Sequence, residues 1–120
     1  MTSPMRTHGP LARGVFAVAV LVSLAVLFMP GADVPSAPPG ADKVVHVCLF
    51  AVLAVTGGWA GIGRGALACL LVLYATVSEL IQGIPALHRD ASVGDWVADV
   101  CGGLLGLLVW ALLRRRTAGP

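Results

Sequence analysis

Three clusters of polar residues stand out in a chain that is otherwise apolar: Asp42-Lys43 with His46, Glu79 with Gln82, and Asp95 with Asp99. Residues four apart share one face of a helix, the second lying about 6 Å further along at 1.5 Å rise per residue. An imidazole beside carboxylates suits general-base chemistry near neutral pH. The same donors, His46 with Glu79 and Asp99, also suit zinc or manganese. No HExxH or comparable signature accompanies them, so no metal and no other cofactor is expected. No serine, cysteine or phosphate-cradling loop is placed as a nucleophile or nucleotide site, which leaves the catalytic residues unassigned.

The elements that would position these groups are helices in lipid. Hydrophobic residues make up 58% of the 120 positions and charged residues 12%, about half the charged share of an ordinary soluble domain. A small soluble domain leaves too much surface exposed to hide that apolar content. Four apolar stretches, Gly14–Met29, Val44–Ile62, Gly65–Ile84 and Trp96–Leu113, each approach the length of about 17–25 residues that one crossing needs. The expected fold class is therefore all-α: an integral membrane bundle of four transmembrane helices. The expected organisation is an N-terminal tail over 1–13, one membrane domain over 14–113 and a basic tail over 114–120.

Lysine and arginine in short loops mark the cytoplasmic side. With the N-terminus inside, Arg6, Arg13, Arg64, Arg114, Arg115 and Arg116 are cytoplasmic and only Lys43 and Arg89 are outside. Both termini are then cytoplasmic, and Asp33, Asp42, Glu79, Asp90, Asp95 and Asp99 all lie at or near the outer face. Trp59, Trp96 and Trp110 fall near span ends, where indole rings settle at headgroup level. The first stretch also has the form of a secretory signal peptide, but no small-x-small cleavage site follows Met29, which favours an uncleaved span.

Pro30 ends the first helix, Asp42 is the expected N-cap of the second, and the fourth is expected to start near Asp95. Gly61 and Gly63 break the second helix before Arg64. Ala98, Gly102 and Gly106 on the fourth helix, and Gly57 and Gly61 on the second, place small residues at four-residue intervals, where another helix can approach closely. Cys48, Cys69 and Cys101 lie within spans, and their odd number and spacing imply no disulfide framework; each reads as a small buried apolar residue. The net charge of +2 is too small to suggest nucleic acid.

Helices two, three and four thus bring His46, Glu79 and Asp99 to a similar shallow depth below the outer face. Ionisable groups inside spans cost about 2.5–3.5 kcal/mol each at mid-helix, so they face the bundle interior and find partners. Asp42 and Asp95 also have a purely structural reading, as acids at helix N-termini, and His46 as a hydrogen-bonded core histidine.

The runs Asp42-Lys43-Val44-Val45-His46 and Ser78-Glu79-Leu80-Ile81-Gln82, followed by Arg89, Asp95-Trp96-Val97-Ala98-Asp99 and Gly102, resemble the VanZ-like family of small multi-span bacterial membrane proteins. The resemblance covers 41–110. Many members carry asparagine where this chain has Asp99. It implies a place in the bacterial plasma membrane and a role in cell-envelope or glycopeptide-antibiotic-related processes. The expected working part is an outward-facing polar pocket of Asp42, Lys43, His46, Glu79, Gln82, Arg89, Asp95 and Asp99. Its expected partners are membrane lipid and a lipid-linked or cell-wall-related molecule, with Lys43 and Arg89 holding an anionic group. Two alternatives stand beside it: a small intramembrane hydrolase or transferase, and an accessory subunit docking on a second copy or another membrane protein through its small-residue faces.

Overall fold

The computed structural model describes residues 7–30, 38–87 and 91–118. Among them the chain is all-helical: α1 (Pro10–Leu27), α2 (Ala41–Trp59), α3 (Arg64–Gln82) and α4 (Val93–Ala118), with a 3-10 turn at Pro85–Leu87 before α4. All four helices are long and apolar enough to cross a membrane. Large apolar side chains such as Leu21, Leu80, Leu104 and Leu108 point outward, the arrangement that lipid accepts and water does not.

Neighbouring helices run antiparallel, which puts α2 and α4 parallel. They form the tightest pair, because α4 presents its small residues to α2. A Cβ on Gly102 would strike the Val47 carbonyl oxygen and lie 2.8 Å from its Cα, and one on Gly106 would strike the Ala51 carbonyl oxygen and lie 2.7 Å from the Ala54 Cβ. The close approach expected of Gly102 and Gly106 is thus filled within the chain. Ala98, on the same stripe, is buried. Gly57 faces Phe16 of α1 and Leu67 of α3. Phe50, Leu53, Ala54, Leu67, Leu71 and Ala75 make the apolar centre with Leu27 of α1.

Several boundaries differ from expectation. Pro10 opens α1 four residues before Gly14, a position where the missing amide costs nothing. The N-cap of α2 is Gly40 at φ 85°, not Asp42, which sits inside the first turn. Gly61 lies beyond α2 rather than on its packing face. It takes φ 106°, while Gly61 N–H donates to Gly58 O and Ile62 N–H to Gly57 O. These two bonds close a Schellman cap, whose left-handed position suits glycine. His8 docks on this cap: its N–H donates to Trp59 O, and its ring fills the space over Gly61. The helix of α4 continues through Arg114, Arg115 and Arg116, where cations suit the C-terminal dipole, and the Arg114 guanidinium lies 5.8 Å from the Trp110 ring centroid. Cys48, Cys69 and Cys101 are unpaired and exposed on the outside of the bundle, not buried as expected.

Candidate functional site

The antiparallel arrangement gathers the N-terminal ends of α2 and α4 with the C-terminal ends of α1 and α3. A polar cluster occupies this end of the bundle. Its outer layer is an ion-pair chain: Lys43 Nζ donates to Asp95 Oδ1 at 2.6 Å and to Asp42 Oδ2 at 3.0 Å. Lys43 and Asp42 are half-exposed, whereas Asp95 is nearly covered.

One helical turn deeper, α2 and α4 bring His46 and Asp99 together, with Nδ1 and Oδ1 2.5 Å apart and both residues buried. The other ring nitrogen, Nε2, lies 3.8 Å from Asp95 Oδ2. The imidazole therefore stands between two carboxylates of one helix face, the four-residue spacing of Asp95 and Asp99 being what puts them on either side of it.

Glu79 enters from α3. Its Oε2 accepts the Ser92 N–H at 3.0 Å, and the Ser92 hydroxyl in turn accepts the Asp95 N–H at 3.2 Å. Ser92 is thus the N-cap of α4, which begins at Val93 and not at Asp95. In a capping box the acid three residues on would bond the cap's own amide; here Glu79 takes that amide and leaves the Asp95 side chain to Lys43. Sequence reading passed over Ser92, although Ser92-Val93-Gly94-Asp95 ahead of an apolar run is the capping-box pattern.

One ligand atom each from His46, Glu79 and Asp99 lies within 4.8 Å of the others. Glu79 Oε1 and Asp99 Oδ2 are buried with no hydrogen-bond partner among the described residues. Each carboxylate thus has one committed oxygen and one uncommitted oxygen.

Two sequence candidates remain. Gln82 donates its Nε2 to the Leu27 carbonyl at 2.7 Å, tying the end of α1 to α3, while its Oε1 has no hydrogen-bond partner among the described residues. Arg89, with His88 and Asp90, lies outside the described residues, as does Asp33. Two further inter-helix bonds are also non-local. The Ser23 hydroxyl donates to Val20 O at 2.7 Å, so Tyr74, 2.8 Å from Ser23 Oγ, is the donor of that second bond. Trp96 Nε1 donates to Thr76 Oγ1 at 3.0 Å, joining α4 to α3.

No protein-family model, curated protein or solved structure matches the chain significantly.

Proposed function

We propose that this chain is a multi-pass protein of the bacterial plasma membrane, with both termini cytoplasmic, whose polar cluster works at the outer face. The reading is that the cluster engages the polar head of a lipid-linked or cell-wall-related molecule. The observation that carries it is the meeting of Lys43, Asp95, His46, Asp99 and Glu79, from three helices, at one end of an otherwise apolar bundle. Ionisable side chains at membrane depth are costly and mark function more often than chance.

Orientation follows from charge. Arg13, Arg64 and Arg114 to Arg116 belong to the end opposite the cluster, where α1 and α3 begin and α4 finishes. That asymmetry favours a cytoplasmic location for the arginine end. The resemblance of the three motifs to the VanZ-like family supports a role in cell-envelope or glycopeptide-antibiotic-related processes.

The test is a deletion strain complemented with wild type, Glu79→Ala or Asp99→Ala at matched membrane levels. Susceptibility to wall-directed antibiotics and lipid composition are measured together. Loss of complementation by both variants is expected; full complementation by both would remove the cluster from the function. The His46–Asp99 pair favours a second reading, a hydrolase or transferase with His46 as base. Turnover of a lipid-linked glycan by purified protein, lost in His46→Ala, separates it from binding alone.

A further inference from the structure

We propose that His46, Glu79 and Asp99 form a binding site for one divalent transition-metal ion of the zinc or manganese class. This goes beyond the envelope role and does not depend on which molecule the protein engages.

Three observations meet at the site. The first is donor placement: one imidazole nitrogen and one oxygen from each carboxylate lie within 4.8 Å of one another. Metal–ligand bonds of about 2.0–2.2 Å set neighbouring ligand atoms about 3.4 Å apart on a tetrahedral ion. Loading the ion requires the three side chains to close in around it. The second is the pair of uncommitted oxygens, Glu79 Oε1 and Asp99 Oδ2, on residues that are 6% and 0% exposed. A buried carboxylate oxygen without a partner is costly, and a cation is the partner that an acceptor-only group can use. The third is charge. Three buried carboxylates, Glu79, Asp95 and Asp99, are gathered around His46, and Lys43 is the cation paired with them among the described residues. A dication offsets two of those negative charges.

Polar groups also flank the ligands. Asp95 Oδ2 lies 3.8 Å from His46 Nε2, on the ring edge that Nδ1 leaves free when it binds metal. A carboxylate that closes to hydrogen-bond distance there would fix the tautomer of a ligating histidine. Ser92 N–H holds Glu79 Oε2, steadying that carboxylate from its other oxygen. Imidazole with carboxylates suits zinc or manganese rather than the softer thiolate-loving ions. Three protein ligands leave a fourth position for water or an anionic oxygen. The expectation of no metal came from the lack of a local motif, and here the three ligands come from three different helices.

The experiment uses the full-length, untagged chain in detergent, purified without chelator. Metal content is measured, then the chelator-stripped protein is titrated with zinc chloride or manganese chloride while affinity and thermal unfolding are followed. About one ion per chain is expected, with a melting temperature that falls on stripping and recovers on reloading. His46→Gln, Glu79→Gln and Asp99→Asn should each weaken binding at least about tenfold. His8→Ala, at the opposite end, should leave it unchanged. X-ray absorption of the zinc-loaded wild type, which needs no variant to fold, should show nitrogen and oxygen ligands without sulfur. Failure of both ions to bind stoichiometrically, sulfur in the coordination shell, or undiminished binding by the triple variant would overturn the site. Because the readout is the ion itself, this result is separate from any antibiotic phenotype.

Discussion

The His46 imidazole and the Asp99 carboxylate meet 2.5 Å apart across the seam between α2 and α4, with neither side chain reaching the surface. A pair buried this deeply is costly to break, because removing one partner strands the other. Asp99→Leu should therefore destabilise the bundle by about 3–5 kcal/mol. Asp99→Asn, which keeps an oxygen facing Nδ1, should cost about 1 kcal/mol. Adding His46→Leu to Asp99→Leu should recover stability, since two apolar residues replace a broken pair. Denaturant titration of the purified variants measures all three; a double variant no better than Asp99→Leu would mean that the pair is not energetically coupled.

The same seam sets a sharp limit on side-chain size. At Gly102 a methyl group has no room, as it would meet the Val47 backbone. Gly102→Ala must push α2 and α4 apart, and overpacking of this kind costs about 1–3 kcal/mol. Gly103, one residue further on, offers the control. A Cβ there would lie 3.4 Å from Leu71 Cδ1, in ordinary contact, and alanine adds up to about 1 kcal/mol of helix propensity over glycine. Gly103→Ala should hold or raise the melting temperature while Gly102→Ala lowers it. Equal responses at the two positions would show that the seam is looser than its geometry.

These cases also mark how far the sequence could be read. Period-four spacing placed His46 on the face of Asp42, and Asp95 on the face of Asp99, because helix geometry is local. Small residues at Gly102 and Gly106 announced a close approach, but not that α2 would be its occupant, since pairing depends on how the connecting loops let the helices assemble. Gly61 has two readings in the sequence, a helix breaker and, four residues from Gly57, part of a packing stripe; the Schellman cap that ends the helix at Trp59 makes it the breaker. Gln82 lies one turn from Glu79 in sequence, and its amide nitrogen bonds the Leu27 carbonyl, a partner that only tertiary structure supplies. The Ser92 cap is legible in the run Ser92-Val93-Gly94-Asp95, as is Pro10 at the start of α1.

Ser92 carries two bonds that separate variants can dissect. Its hydroxyl accepts the Asp95 amide, so Ser92→Ala should cost about 1 kcal/mol through the lost cap. Its own amide is held by Glu79 Oε2, which Ser92→Ala leaves intact but Glu79→Leu removes, stranding the amide at about 1–3 kcal/mol. Hydrogen exchange should assign each loss: faster exchange at the Asp95 amide in the first variant, and at the Ser92 amide in the second. Uniform acceleration along α4 in both would indicate general unfolding rather than two distinct caps.

Gln82 should govern how α1 is attached. The last carbonyls of a helix lack intrahelical donors, and in lipid no water replaces them. At the end of α1 the Gln82 amide supplies the Leu27 carbonyl with its donor. Gln82→Leu preserves volume and helix propensity but leaves that carbonyl unsatisfied, a cost of about 1–3 kcal/mol. The loss should be local, because α1 is otherwise held on this side by the Ser23–Tyr74 bond and the burial of Leu27. Amide exchange should accelerate across the last turns of α1 while the amides of α2 and α4 beside His46 and Asp99 stay protected. If protection falls equally in all three helices, Gln82 supports the whole bundle end rather than α1 alone.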